Sequence, residues 1–254
     1  MAKRILNFLI QLLLGTEVFK WGEEKMPHFT FLNEELLKRG WTLKASFVIE
    51  DDTNLMKNIF RLIKADKNSV MFCFGGIGAT PDDYTRQIAA EVFTDGQTEF
   101  HEKAKELIIK QFKDEAYPHR IEMAHLPINA KLLKNVVNNV PGFYLENRFF
   151  FTPGFPTMSQ SMIIEALDKH YKKNDIEKFR LTLTAICGEN DLIDIMKKIS
   201  NEVELSSLPK IIDNKRKVVL SLSSKDKKKL DDDFSMFTLF LDKQKIEYEL
   251  KDVD

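Results

Sequence analysis

With 254 residues, 43% of them hydrophobic and 30% charged, the chain has ample core for one large domain or two small ones and the composition of an ordinary soluble globular protein. A net charge of −1 carries no nucleic-acid footprint. Two cysteines, Cys73 and Cys187, lie in separate apolar runs with no CxxC or Cys/His cluster to hold zinc, so free thiols in a reducing, cytoplasmic setting are expected.

Lys3 and Arg4 precede the apolar run 5–14, which superficially looks like a leader. No small-residue cleavage site follows, and the run is too short to span a bilayer, so a first buried strand over 5–10 and no membrane partner are expected. Gly15-Thr16-Glu17 follows, and Gly22 closes the turn region. Residues 29–39 read as a helix stopped by Gly40, and 42–49 alternate as a second strand ending in Glu50-Asp51-Asp52. Asp52 is placed to start the next helix, 53–64, with Leu55, Ile59, Leu62 and Ile63 on its apolar face.

The most informative stretch comes next. Residues 69–74 form a short apolar run, as expected of a strand covered on both faces. Gly75, Gly76 and Gly78 then permit positive φ and close approach of a ligand. Thr80 reads as the N-cap of a helix over 81–93, with Pro81 at its first position and Asp82 and Asp83 in its first turn. A strand ending in a glycine turn at a helix N-terminus is a phosphate cradle, because free backbone N–H groups point at the ligand. No Gly-Lys-Ser/Thr follows and Pro81 stands where a third glycine would complete the dinucleotide fingerprint, so neither of those motifs is present. Two carboxylates beside such a cradle also fit a divalent cation between protein and phosphate. The plainer reading, that Thr80, Asp82 and Asp83 only cap a helix, accounts for the same residue types.

Residues 100–112 form another amphipathic helix, with Ala104, Leu107, Ile108 and Phe112 on one stripe. His101, His119, His125 and His170 are scattered and make no ligand set. Residues 143–146 and 148–151 pair as strands around Asn147, and Thr152-Pro153-Gly154-Phe155-Pro156 is a second strand-to-helix turn. A boundary falls in the polar segment 172–175. The remainder reads as strand 179–186, helix 191–203, strands 208–212 and 218–222, helix 226–244 and strand 246–250, the β-α-β-β-α-β order of a ferredoxin-like module. Lys225 to Lys229 are answered by Asp231 to Asp233, which reads as the solvated end of a helix.

Gly75-Gly76-Ile77-Gly78-Ala79-Thr80-Pro81-Asp82-Asp83-Tyr84-Thr85 resembles the Gly-Gly-x-Gly-x-Thr-x-Asp-Asp-x-Thr signature of the molybdopterin-binding (MoaB/MogA-like) domain, in the version found in CinA-like competence/damage-inducible proteins and eukaryotic FAD synthases. Asp51 matches the family's aspartate at the end of its second strand, and Pro153-Gly154-Phe155-Pro156 resembles the stretch that faces the glycine loop. Thr16 where the family has Asp, a missing Asn, Phe74 for the frequent Thr, and Thr152 for Leu are departures.

The resemblance implies a three-layer α/β/α domain with a mostly parallel sheet over 1–174, followed by a small α+β domain over 175–254. It implies phosphate or ligand contacts from Gly15, Gly75, Gly76, Gly78, Thr80, Asp82, Thr85, Pro153 and Gly154. Asp51 and Asp83 would hold a divalent cation (Mg, Mn or Co), with Glu17 or Asp82 orienting water. The expected activity is hydrolysis of the pyrophosphate in an ADP-ribose- or FAD-like nucleotide; the alternative is binding of molybdopterin or another phosphorylated ligand without hydrolysis. A homo-oligomer is expected.

Overall fold

The structure is a computed structural model that describes residues 8–14, 27–174, 178–212 and 215–251. Contacts divide the chain into two units, Met1–Asn174 and Asp175–Asp254. The first runs β1 (Phe8–Leu14), α1 (Pro27–Lys38), β2 (Leu43–Ile49), α2 (Thr53–Ala65), β3 (Ser69–Phe74), α3 (Thr85–Phe93), β4 (Thr98–Phe100), α4 (Glu102–Phe112), β5 (His125–Pro127), β6 (Lys131–Leu133), β7 (Gly142–Leu145), β8 (Phe149–Thr152) and α5 (Pro156–His170).

Its main sheet has the order β2-β1-β3-β8-β7-β6. The first four strands are parallel; β7 and β6 add antiparallel, through a hairpin whose Glu146 and Asn147 both take positive φ. Every residue of β3 is buried, and successive side chains serve opposite layers. Met71 and Cys73 pack with Met56, Ile59, Phe60, Ile88 and Ile108 of α2, α3 and α4. Val70, Phe72 and Phe74 pack with Leu32 and Leu36 of α1 and Met162, Ile163 and Leu167 of α5. This is the expected three-layer α/β/α arrangement, and it explains why six consecutive positions carry apolar side chains or a small Ser. Parallel register sets Ile49 beside Leu14, Phe74 beside Leu13, and Thr152 beside Phe74, so β2, β3 and β8 end level at one edge of the sheet.

One helix face differs from expectation. In α2 the buried stripe is Met56, Ile59, Phe60 and Ile63, while Leu55 and Leu62 are exposed. Positions 56, 59, 60 and 63 follow the i, i+3, i+4, i+7 rule more closely than a stripe through 55 and 62 does.

The second unit contains β9 (Phe179–Ala185), α6 (Ile193–Met196), β10 (Glu204–Ile212), β11 (Lys215–Ser224), α7 (Lys227–Gln244) and β12 (Tyr248–Lys251). Its antiparallel sheet has the order β10-β11-β9-β12, the pairing of a β-α-β-β-α-β module. Leu183, Ala185, Val218, Leu220 and Leu222 form its buried face with Leu230, Phe234, Phe237 and Leu241 of α7. The helix expected over 191–203 is only α6, preceded by a 3-10 turn. Leu192 and Ile195 still reach the core, but the helix ends at Met196, and four residues on Ser200 N–H donates to Asp233 Oδ2 of α7 at 2.9 Å.

Candidate functional site

The sheet edge where β2, β3 and β8 end carries two turns. In the first, Gly75 and Gly76 take φ of 100° and 67°. Gly75 N–H donates to the Thr152 carbonyl at 2.9 Å, extending the β3–β8 ladder by one step. The chain then folds back on itself. Thr85 N–H donates to the Gly76 carbonyl at 2.9 Å, and the Thr85 hydroxyl donates to the Gly75 carbonyl at 3.0 Å. A Cβ on Gly76 would stand 2.2 Å from Thr85 Oγ1, so any side chain there would force the loop to shift. The Arg86 guanidinium donates to the carbonyls of Ile77 and Gly78. Asp83 Oδ2 accepts from the Thr80 N–H at 2.8 Å and the Thr80 hydroxyl at 2.5 Å.

These bonds have an electrostatic consequence. The four carbonyls from Gly75 to Gly78, which would repel an anion, are all satisfied from within the chain. The N–H groups of Gly76, Ile77, Gly78 and Ala79 have no acceptor among the described residues. Successive unpaired amides in such a turn make an anion-binding concavity.

The second turn, Pro153-Gly154-Phe155, enters α5 with Pro156 at its first position and no side-chain cap. It packs backbone to backbone on the first: a Cβ on Gly154 would lie 3.5 Å from Gly75 Cα. His28 of α1 holds it from behind, with Nε2–H donating to the Gly154 carbonyl at 2.8 Å and Nδ1 3.2 Å from the Ser159 hydroxyl. The imidazole lies 4.5 Å from the Phe74 ring. Burial holds its pKa below the ordinary histidine value, opposed in part by the Gly154 carbonyl. A neutral ring with its proton on Nε2 satisfies both contacts.

Comparison with known proteins agrees with this geometry. The family model described as a probable molybdopterin binding domain matches residues 12–172. The chain belongs to the molybdopterin-binding domain family. A CinA-like protein of Fusobacterium nucleatum is 26% identical over 200 residues, 76% of this chain and 48% of that protein. A putative competence-damage inducible protein of Alkaliphilus metalliredigens is 27% identical over 198 residues, 74% of this chain and 47% of its own length. A protein of Thermococcus kodakarensis is 27% identical over 217 residues, 76% of this chain and 85% of its own. The chain thus spans about half the length of the first two curated relatives. Among solved structures, CinA of Thermoplasma acidophilum superimposes with a TM-score of 0.54 at 24% identity, covering 63% of this chain and 95% of that one, a likeness of fold.

Within the molybdopterin-binding domain, the expected site residues fall into three groups. Gly75, Gly76, Gly78, Thr80, Asp82 and Asp83 lie in the first turn, and Pro153 and Gly154 lie in the second, at the same sheet edge. Asp51 sits half-buried at the bend after β2, where that strand ends level with β3, while Asp52 caps α2 through the N–H groups of Asn54 and Leu55. Gly15 and Glu17, with Thr16, lie outside the described residues.

Three expectations need correcting. The helix begins at Thr85, not Pro81, because Thr85 is tied back to Gly75 and Gly76. Thr80 to Asp83 instead closes a separate turn, in which Asp83 N–H donates to the Thr80 carbonyl at 3.0 Å, so Asp82 and Asp83 are not in the first helical turn. Thr85 is wholly buried with its hydroxyl and amide both engaged, which makes it a brace for the loop rather than a ligand contact. The departure at Phe74 is also buried, 1% exposed, and its ring packs against His28.

The donor set limits how a cation could be held. Among the described residues no three His, Cys, Asp or Glu side chains form a metal-binding group. Asp83 Oδ2 is already bound to Thr80, and Oδ1 has no partner among the described residues. This fits a cation held by one or two carboxylates and completed by phosphate oxygens and water, and it does not fit a closed protein cage.

Proposed function

We propose that the molybdopterin-binding domain takes a small molecule carrying phosphate and a planar ring, a nucleotide or a pterin, at the edge where β2, β3 and β8 end. We further propose that it hydrolyses the pyrophosphate of an ADP-ribose- or FAD-like nucleotide. The observation that carries the proposal is the run of four amides, Gly76 to Ala79, with no acceptor among the described residues, which begins next to Gly75, the residue that Gly154 packs against. Those amides would take the phosphate oxygens. Arg86, Thr85 and His28 keep the two turns shaped for them. Asp51 and Asp83 would hold a divalent cation (Mg, Mn or Co), and Glu17 and Asp82 are the carboxylates that would orient water. When bound, such a cation polarises a phosphoryl oxygen and lowers the pKa of an attacking water.

Binding without turnover is the second reading. It is favoured by the engagement of Asp83 with Thr80 and by the lack, among the described residues, of any group of three His, Cys, Asp or Glu side chains that could hold a metal ion.

The test is turnover of ADP-ribose, FAD and NAD by wild type and Asp83→Asn with Mg²⁺, Mn²⁺ or Co²⁺, alongside melting temperature. Asn can still accept both Thr80 bonds, so stability should change by about 1 kcal/mol or less. Turnover should fall about 100-fold or more, the scale of a lost electrostatic contact in catalysis. Equal turnover by both proteins makes Asp83 a loop brace only. No turnover, with thermal stabilisation by a pterin or nucleotide, establishes the binding reading in its place.

A further inference from the structure

Phe155 is the residue of this edge that the phosphate reading leaves unused. It is 65% exposed, the most exposed phenylalanine among the described side chains, whereas Phe72, Phe74, Phe149, Phe150 and Phe151 nearby are buried. Its backbone is extended, with φ −83° and ψ 120°, between Pro153-Gly154 and Pro156. Proline has a fixed φ and restricts the residue before it to extended conformations, so Pro156 holds Phe155 where it stands. A single exposed apolar side chain needs no explanation by itself. Its position does: Phe155 follows Gly154, the residue whose backbone lies against Gly75, by one Cα step of about 3.8 Å.

We propose that Phe155 is the platform on which the planar ring of the ligand stacks, so that the site selects ring-bearing phosphates over inorganic ones. The proposal rests on the phosphate site described under Proposed function and adds its specificity. An anion seated on the Gly76-to-Ala79 amides would lie beside the Gly75–Gly154 contact, one residue from Phe155, within reach of a ring carried on the same ligand. Adenine, flavin and pterin all present a flat π-face, and stacking is tolerant of which ring it meets. The competing occupant is a second copy of the chain. The neighbouring loop touches α5 where Asn138 Nδ2 lies 3.7 Å from Met158 Sδ, and it exposes Val136 and Val137, which with Phe155 could form a self-association patch.

The experiment is calorimetric titration of the full chain with inorganic pyrophosphate, ADP-ribose and FAD, with Ca²⁺ in place of Mg²⁺ to hold turnover back. It uses wild type, Phe155→Ala and Phe155→Trp, with sedimentation velocity on each. Phe155→Ala should weaken ADP-ribose and FAD about 10- to 100-fold, the scale of one lost stacking contact. Pyrophosphate should change by less than about twofold, and Phe155→Trp should restore the ring-bearing ligands. The platform is overturned if pyrophosphate weakens in parallel, if ADP-ribose and FAD bind Phe155→Ala as they bind wild type, or if the substitution changes the oligomeric state. A wild type that binds all three probes, with ADP-ribose and FAD showing no dependence on Phe155, removes the platform and leaves the phosphate site standing. A wild type that binds none of the three probes removes both.

Discussion

The two turns at the sheet edge reach similar ends by different means. The turn from Gly75 to Thr85 is long and holds itself: Thr85, Arg86, Thr80 and Asp83 supply its internal hydrogen bonds. The turn from Pro153 to Pro156 is short, stiffened at both ends by a proline, and held from outside by His28 across 126 residues of sequence. A self-braced loop can be read from contiguous residues, whereas an externally braced one depends on the packing of the whole domain. The comparison also separates residues that shape the site from residues that would touch a ligand, and substitutions can press on each.

The largest contrast is between two glycines. Gly76→Ala forces a side chain into positive φ and onto Thr85 Oγ1, and should cost about 2–5 kcal/mol in unfolding free energy, from left-handed strain and overpacking together. Gly154→Ala places its methyl in ordinary contact with Gly75 Cα and should change stability by less than about 1 kcal/mol. That methyl stands in the crease between the turns, so affinity for pyrophosphate should still fall on the order of tenfold, about one amide contact. Urea midpoints and calorimetry on both variants check this; equal stability losses would erase the distinction between the two turns.

A smaller effect sharpens the externally braced side. Burial holds the folded-state pKa of His28 below the ordinary 6.5, so the unfolded chain takes up that proton first as the pH falls. The stability contributed by the neutral ring is fully present above about pH 6.5 and is lost as the pH drops below it and through the folded-state value. His28→Gln should lose less stability than wild type between pH 7.5 and 5.5, measured by urea midpoints. Parallel losses would show that the imidazole titrates as it does in the unfolded chain.

Much of the fold was legible because its signals are local. The apolar run at 69–74, the alternation at 42–49 and the stops at Gly40 and Pro153 lie within a few residues of the elements they define. The β-α-β-β-α-β order of the second unit followed from such patterns, even where its first helix proved to be one turn long. The glycine turn was legible too, but the start of its helix was not. Thr80-Pro81-Asp82-Asp83 has the composition of a helix N-terminus, and only the long-range return of Thr85 to Gly75 and Gly76 shows that those residues close a separate turn. Arg86 left no clear signal, since its bonds to the Ile77 and Gly78 carbonyls depend on how the loop folds back. His28 left none, since its partners Gly154, Ser159 and Phe74 are distant in sequence.

The amides of Gly76 to Ala79, beside the turn at Gly154, make up the anion site proposed above. The most direct measurement is a titration of ¹⁵N-labelled full-length protein with inorganic pyrophosphate, following backbone amide shifts. Saturable changes centred on Gly76, Ile77, Gly78, Ala79 and Gly154, with β10, β11 and α7 of the second unit unmoved, are the predicted result. Saturable changes centred on the second unit, or no change at the glycine turn at millimolar pyrophosphate, would contradict the account.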